Sequence, residues 1–270
     1  MGIFELESKA KEIRKGIVNA VYSNKSGHIG GALSIADIMA VLYFSELNIS
    51  VEQPQKVDRD RLVLSKGHTS AALYSALACK GFLTKEDLLG FRNINSNLQG
   101  HPDMNKTNGV DMSSGSLGQG LSVAVGMAIS AKMESLDNRV YCILGDGEIE
   151  EGQVWEACMA ASKYSLDNLC VIVDNNNLQI DGNISEVMSS YPIDDKFRSF
   201  GFNVSVIDGH NFEQILEAFK VAKDSVKKPT CIIARTIKGK GVSFMENNVK
   251  WHGKAPNEEE YAQAMEELEN

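Results

Sequence analysis

The sequence predicts an α/β protein, a parallel sheet covered by helices on both faces. Three observations predict it. Four apolar runs, at residues 61–64, 140–144, 169–173 and 230–234, lack the polar alternation of a half-exposed strand, so each reads as a strand buried on both faces. Each run stops at a loop bearing glycine or asparagine, in SKGH, GDGEIEEG, DNNNLQIDG and TIKGKG. Stretches with apolar residues at helical spacing lie between them, and strand, loop, helix, strand in repetition builds a parallel sheet.

Element by element, Leu6, Ala10, Ile13, Ile17, Ala20 and Val21 share one helical face, which predicts an amphipathic helix over residues 5–24. Residues 34–47 read as a second helix, with Ser34 and Asp37 at capping-box spacing. After a polar connection carrying Pro54 come the strand at 61–64 and a helix over 71–80. Residues 92–117 are rich in Asn, Ser and Gly; irregular stretches of that length inside compact domains are usually functional or disordered. GSLGQG (115–120) leads into LSVAVGMAISAKMES, a helix apolar enough to require burial on most sides. A helix over 153–164 follows GDGEIEEG and points Val154, Ala157, Cys158 and Ala161 one way. FNVSVIDG (202–209) precedes a helix with Phe212, Ile215, Leu216, Phe219 and Ala222 on one face, and YAQAMEELE is helical. No linker, low-complexity segment or repeat interrupts the chain, so one domain over 1–270 is expected, with an N-terminal helical portion.

Composition removes some function classes. A formal net charge of −9 gives no general attraction to nucleic acid or to an anionic membrane surface, and no run approaches the ~18 apolar residues of a membrane span. The N-terminus, MGIFELESKAKEIRKG, is amphipathic and charged, unlike a secretory signal. Five cysteines, never closer than 12 residues, form no CxxC motif, and Cys142, Cys170 and Cys231 sit in apolar runs as small hydrophobes. A reducing, cytoplasmic setting is expected.

The chemistry gathers at strand ends. In open α/β sheets ligands bind beyond the carboxyl ends of the strands. Asp146 and the run Asn175, Asn176, Asn177 each lie just past a predicted strand and can meet although 30 residues apart. One carboxylate, one amide oxygen and nearby backbone carbonyls suit a hard cation such as Mg²⁺ rather than Zn²⁺. Gly145 and Gly147 let the backbone approach a ligand closely, and GSLGQG, at a helix N-terminus, presents N–H groups to an anion. A diphosphate between that turn and a metal follows. Taken singly, GDG and DNNN are ordinary tight turns; jointly, at equivalent strand ends, they favour a ligand.

All five histidines adjoin a glycine: His28, His68, His101, His210 and His252. Random placement would do this about once in ten thousand trials at ordinary glycine usage. Imidazoles in glycine-bearing loops suit the handling of protons on a polyhydroxylated substrate near pH 7, although His210, in VIDGHN, reads better as a solvated or capping residue. None has metal-site spacing. Lys238 and Lys240 in TIKGKG could meet an anion, but lysines in such a loop are more often solvated. Neither GxxxxGK[ST] nor a well-placed GxGxxG is present, which disfavours a P-loop or nicotinamide site.

SGHIG (26–30), DRDRLVLSKGH (58–68), QGHPD (99–103), GSLGQG, GDG with an asparagine 30 residues on, and WHGKAP (251–256) together resemble the thiamine-diphosphate-binding half of transketolase, in order and over nearly the whole chain. GDG with a distant Asn is shared by most thiamine diphosphate enzymes; the four histidine motifs are the specific part. The resemblance implies the diphosphate-side fold of that family. It implies a divalent ion, Mg²⁺ or another such as Ca²⁺ or Mn²⁺, on the side chains of Asp146 and Asn176 and the carbonyl of Leu178. It places Gly115, Leu117, Gly118, Gly147, His68 and His252 against thiamine diphosphate, along with Asp146 and Asn176. His28 and His101 would face ketose hydroxyls, His252 the reacting centre, and Glu151 a dimer interface where acids share a proton. Glu148 and Glu150 match nothing constant and read as solvated acids at a helix start.

Two departures stand out: Ile29 and Ser116 replace prolines usual in the family, and both loops lose a fixed φ. The glutamate that activates the cofactor's aminopyrimidine, and most binders of substrate phosphate, belong to a second half of transketolase that this chain does not carry. The resemblance therefore implies the N-terminal chain of a two-chain transketolase, in a dimer of heterodimers with a C-terminal subunit carrying the pyrimidine-binding domain. That enzyme would move a two-carbon ketol unit from a ketose phosphate to an aldose. A deoxyxylulose-phosphate-synthase-like or other sugar-pathway enzyme, and a cofactor-binding scaffold without catalysis, are the alternatives.

Overall fold

Five parallel strands form one sheet in the computed structural model, which describes residues 1–180 and 182–269; Asp181, inside DNNNLQIDG, and Asn270 lie outside the described residues. The strands are β1 (Arg61–Leu64), β2 (Val140–Gly145), β3 (Leu169–Asn175), β4 (Asn203–Asp208) and β5 (Thr230–Arg235), in the order β1-β2-β3-β5-β4. The absence of alternation in the strand sequences has a direct cause. Tyr141, Ile143, Cys170, Ile172, Ile232 and Ala234 point into one core, whereas Cys142, Leu144, Val171, Val173, Cys231 and Ile233 point into another on the opposite face. Both faces are buried, so both parities must be apolar.

The first core is covered by α1 (Ile3–Ser23), α2 (Ile29–Leu33), α3 (Ala36–Val41), α4 (Ser70–Lys80), α9 (Phe212–Lys223) and α10 (Glu258–Glu267). The second lies under α5 (Gln119–Met133), α6 (Gly152–Lys163) and α8 (Ile193–Ser199). α4 ends where Gly81 takes a left-handed φ of 101° that a β-carbon would resist. β4, at the sheet edge, is the one strand with several half-exposed positions, among them the polar Asn203 and Ser205.

Three expectations need correction. The helix predicted over 34–47 is divided: α2 begins at Ile29, and α3 runs on into a wider turn at Leu42–Glu46. Ser34 and Asp37 form no capping box; the Ser34 hydroxyl donates to the Gly31 carbonyl and to Asp174, and Asp37 is taken by Arg14 and His210. α5 is not buried on most sides, because Val123, Gly126, Ser130 and Met133 form an exposed stripe. Between β3 and β4 stand two short helices, α7 (Ile184–Val187) and α8, in a stretch to which no element is assigned from the sequence. Ile29 occupies the first position of α2, a place where proline is tolerated, so the departure there leaves a helix start intact.

Candidate active site

Register places the carboxyl ends of the central strands level with one another: Gly145 pairs with Asp174, and Asn175 with Arg235. The loops leaving those ends enclose a cavity of about 290 Å³. Its floor contains the acid expected at a strand end. Asp146, 2% exposed, accepts from the Gly147 N–H at 3.0 Å through Oδ1, and from Asn175 Nδ2 at 3.0 Å and the Asn177 N–H at 2.6 Å through Oδ2. Burial and the neighbouring Asp174 carboxylate push its pKa up to about 6 despite those three donors. Asn176 donates from Nδ2 to Asp174 at 2.9 Å, and this fixes which end of the amide is oxygen; that oxygen accepts from the Leu178 N–H at 3.1 Å.

Asp174 lies fully buried under the floor, bound by Lys66, the hydroxyls of Ser34 and Thr236, and Asn176. Burial alone would raise its pKa, but the Lys66 ammonium together with the Thr236 and Ser34 hydroxyls outweighs it and holds the carboxyl below the usual range. Lys66 also donates to the Gly31 carbonyl at 2.9 Å. Every polar atom of this buried pair thus meets a partner, as a charge out of water requires.

The set Asp146, Asn176 and Leu178 fits a hard divalent ion. Its atoms are a carboxylate whose charge is disfavoured by burial, an oriented amide oxygen and a backbone carbonyl that already meets one cation, the Lys238 ammonium at 3.0 Å. Among the described residues no group of three His, Cys, Asp or Glu is placed to hold a metal, so a soft or zinc-like site does not fit.

Above the floor stand the histidines. His28, His68 and His252 form a triangle with ring centroids 5.2, 5.2 and 5.5 Å apart, and His101 lines the same cavity beside Gly115. Burial, with Lys66 nearby, drives His68 down to about 2; burial and Lys238 take His252 to about 3; burial first, then Arg92, lowers both His28 and His101. All four are neutral imidazoles at pH 7, able to accept or donate a proton. Nδ1 of His28 is buried without a hydrogen-bond partner among the described residues, as a group awaiting a ligand would be.

Of the residues expected to act, His28, His68, His101, His252, Gly115, Leu117, Asp146, Gly147, Asn176 and Leu178 all line this cavity. Gly118 and Glu151 do not. Glu151 is exposed at the start of α6, and a β-carbon on Gly118 would come within 2.8 Å of Glu151 Cβ. His210 stays out of the cavity, as expected, yet it is neither solvated nor a cap: it is bonded to Asp37 and to the Ile237 N–H.

Two residues depart from their expected places. Lys238 is not solvated; it is 2% exposed, with Nζ between the Leu178 carbonyl and His252 Nδ1 at 2.9 Å, and burial with Lys66 nearby lowers its pKa to about 8. Glu148 is no surface acid. It is buried against the cavity, where Oε1 accepts from the Ser65 hydroxyl and the Gly118 N–H at 3.0 Å, and Oε2 accepts from the Gly145 N–H at 3.0 Å. The Gly118 N–H is therefore occupied by protein rather than presented to an anion. Glu150 is half-buried and accepts from Gln179 Nε2 at 2.9 Å. Lys66, Glu148 and Asp174 are site residues that the sequence reading misses. The signal for them is a lysine and acids set directly at strand ends between motif residues.

Residues 6–269 match the family model described as transketolase, thiamine diphosphate binding domain. The chain is 45% identical to a 6-deoxy-6-sulfo-D-fructose transketolase subunit from Clostridium sp. (strain MSTE9), over 98% of this chain and 96% of that one. It is 43% identical to an apulose-4-phosphate transketolase subunit from Phocaeicola vulgatus, over 99% and 95% of the two chains. The crystal structure of transketolase from Campylobacter jejuni superposes with a TM-score of 0.94 at 38% identity, covering 100% of this chain and 43% of that one. Motif order, strand-end geometry and likeness along the whole length agree, and the chain belongs to the transketolase family by its thiamine diphosphate binding domain.

Proposed function

We propose that this chain is the diphosphate-holding subunit of a two-chain transketolase, moving a two-carbon ketol unit from a ketose phosphate, or a ketose with a comparable anionic group, to an aldose. One observation carries the reading: four neutral histidines stand over a floor of hard oxygen donors and buried lysines in a single cavity. Thiamine diphosphate, when bound, supplies the nucleophilic carbon that takes up the ketol unit. The chain's own residues bind, orient and move protons. Asp146, Asn176 and the Leu178 carbonyl would hold Mg²⁺ or a similar divalent ion; Gly115, Leu117, Gly147, His68 and His252 would lie along the cofactor, with Gly118 set behind them on Glu148. His28 and His101 take the sugar hydroxyls, and His252 exchanges a proton at the reacting centre. A scaffold would have no use for four neutral imidazoles around one cavity.

In this reading residues 1–270 are one cofactor-binding domain, and a C-terminal subunit brings the pyrimidine-binding domain. Two open apolar features support a partner: the exposed stripe on α5, and the cavity rim, where Leu117 is 38% and Ile180 67% exposed. Glu151, exposed beside Gly118, suits a subunit contact, and a dimer of heterodimers follows. Free cysteines throughout suit a reducing cytoplasm, and no described helix is long and apolar enough to cross a membrane. The relatives' names give different sugars, so the reading commits to a substrate class.

The test is reconstitution. Ketol transfer with thiamine diphosphate and Mg²⁺ should require both chains, and full turnover by this chain alone would refute the two-chain reading. Asp146→Asn should weaken Mg²⁺-dependent cofactor binding in calorimetry; an unaltered affinity would remove the metal assignment.

A further inference from the structure

Behind the cavity, Arg14, Asp37 and His210 form a buried relay that none of the chemistry above employs. Asp37, on α3, is 3% exposed, and Arg14 of α1 forks onto it with Nη1 2.8 Å from Oδ1 and Nη2 2.6 Å from Oδ2. Burial pulls the Asp37 carboxyl upward, but Arg14 and His210 outweigh that pull and hold it below its ordinary range. His210, in the turn between β4 and α9, sets Nδ1 2.7 Å from Asp37 Oδ2 and Nε2 2.8 Å from the Ile237 nitrogen. A backbone N–H can only donate. Nε2 must therefore be the bare ring nitrogen, and the ring proton sits on Nδ1, donated to Asp37.

The relay grips one short turn at both ends. His210 takes the Ile237 N–H, while Arg14 Nε donates to the Lys240 carbonyl at 3.1 Å. Between them the Gly239 N–H donates to the Gly30 carbonyl at 2.9 Å, and Gly239 has φ +81°, where a β-carbon would come 2.3 Å from the Met245 oxygen. Inside the turn lies Lys238, whose ammonium bridges the Leu178 carbonyl and His252. The backbone around Lys238 is thus set from the far side of α1 and α3.

We propose that His210 is a positioning residue: with Asp37 and Arg14 it holds the 237–240 turn, and so places the Lys238 ammonium against Leu178 and His252. Its value to catalysis rests on the cofactor-site reading above, but where Lys238 is held does not. The test uses the full chain without cofactor or partner, so its failure and that of the transketolase reading are separable.

Long-range ¹H–¹⁵N spectra of the wild-type chain should show His210 as the Nδ1–H tautomer at pH 7.5. In His210→Phe, and in His210→Asn, whose amide reaches Asp37 but not Ile237, the 237–241 amides should exchange at least about tenfold faster, the equivalent of one lost hydrogen bond. His210→Gln, whose oxygen reaches toward Ile237, should restore most of the protection. His252 ring resonances should move in the first two variants and return in the third. An Nε2–H or doubly protonated His210 would overturn the proposal, even if every variant failed to fold. Unchanged exchange and His252 shifts in His210→Phe would overturn it too, as would faster exchange spread evenly over β2 and β3, the mark of general destabilisation.

Discussion

Replacing Glu148 tests whether a buried acid ties the cavity's loops together. Its carboxylate collects donors from three separate segments: the Ser65 hydroxyl after β1, the Gly118 N–H at the head of α5, and the Gly145 N–H at the end of β2. In Glu148→Ala the serine hydroxyl can rotate to another acceptor, but two backbone N–H groups cannot. Leaving a buried donor unsatisfied costs about 1–3 kcal/mol, so two cost roughly 2–6 kcal/mol. Part of that is offset because burial disfavours this carboxylate, whose pKa is raised. A net loss of about 2–4 kcal/mol remains. Glu148→Gln keeps the shape and one oxygen, so if that oxygen serves Ser65 and Gly118, a single N–H, that of Gly145, faces an amide NH₂, at about 1–3 kcal/mol. Urea unfolding should rank wild type above Gln above Ala at constant m-value. Equal midpoints for wild type and Glu148→Ala, within about 0.5 kcal/mol, would refute the argument and return Glu148 to the surface acid that its neighbours in GDGEIEEG suggest.

Acid should destabilise the isolated chain from about pH 6.5 downward. His68 has a folded pKa of about 2 against 6.5 unfolded, so below 6.5 the unfolded chain takes up a proton that the native one refuses; stability is full above that pH and falls below it. At pH 5 this amounts to about 2 kcal/mol, and His68→Asn should flatten the pH dependence of the urea midpoint by that much; an unchanged slope would count against a desolvated His68. Lys66→Met should cost about 3–5 kcal/mol by leaving Asp174 charged and unpaired, while Lys66→Met with Asp174→Leu should recover part of it; additive losses in the double variant would deny the coupling. Of the thiols, half-buried Cys79, its pKa pushed up to about 11, should react slowly with a disulfide reagent in the native chain, and Cys142, Cys158, Cys170 and Cys231 only on unfolding. Five fast native thiols would contradict the packing.

Local sequence carries the parts of this structure that local physics determines. β1, β2, β3 and β5 are legible because strands buried on both faces must be apolar at every position, and α9 because Phe212, Ile215, Phe219 and Ala222 recur on one face. Asp146 and Asn176 are legible because parallel strands bring their carboxyl ends to one edge, whatever the separation in the chain. The charged and polar groups that mislead have distant partners. Glu148 reads as a surface acid until Ser65 and Gly118 arrive, 83 and 30 residues away. Asp37 reads as part of a cap until Arg14 forks onto it, and Lys238 reads as solvated until Leu178, 60 residues back, turns its carbonyl inward. The open stripe on α5 misleads for a different reason: a mostly apolar composition does not say which face of a helix this chain covers, and here Val123, Gly126, Ser130 and Met133 stay exposed.

The two buried lysines change how the site's histidines are understood. Neutral imidazoles could arise from burial alone, but Lys66 and Lys238 stand among the charges that lower both His68 and His252. In the proposed enzyme those same ammonium groups face the negative charge of a diphosphate. Their number is small and their placement fixed, Lys66 by Asp174 and the Gly31 carbonyl, Lys238 by Leu178 and a turn held at both ends. A mobile lysine would follow the anion and leave burial as the main cause lowering the two imidazoles. A lysine held by backbone carbonyls and a buried carboxylate stays where it keeps the histidines unprotonated. In the proposed enzyme anion binding and proton handling would therefore draw on the same two side chains, and the supports behind them, Asp174 for one and the Arg14–Asp37–His210 relay for the other, are held by buried hydrogen bonds.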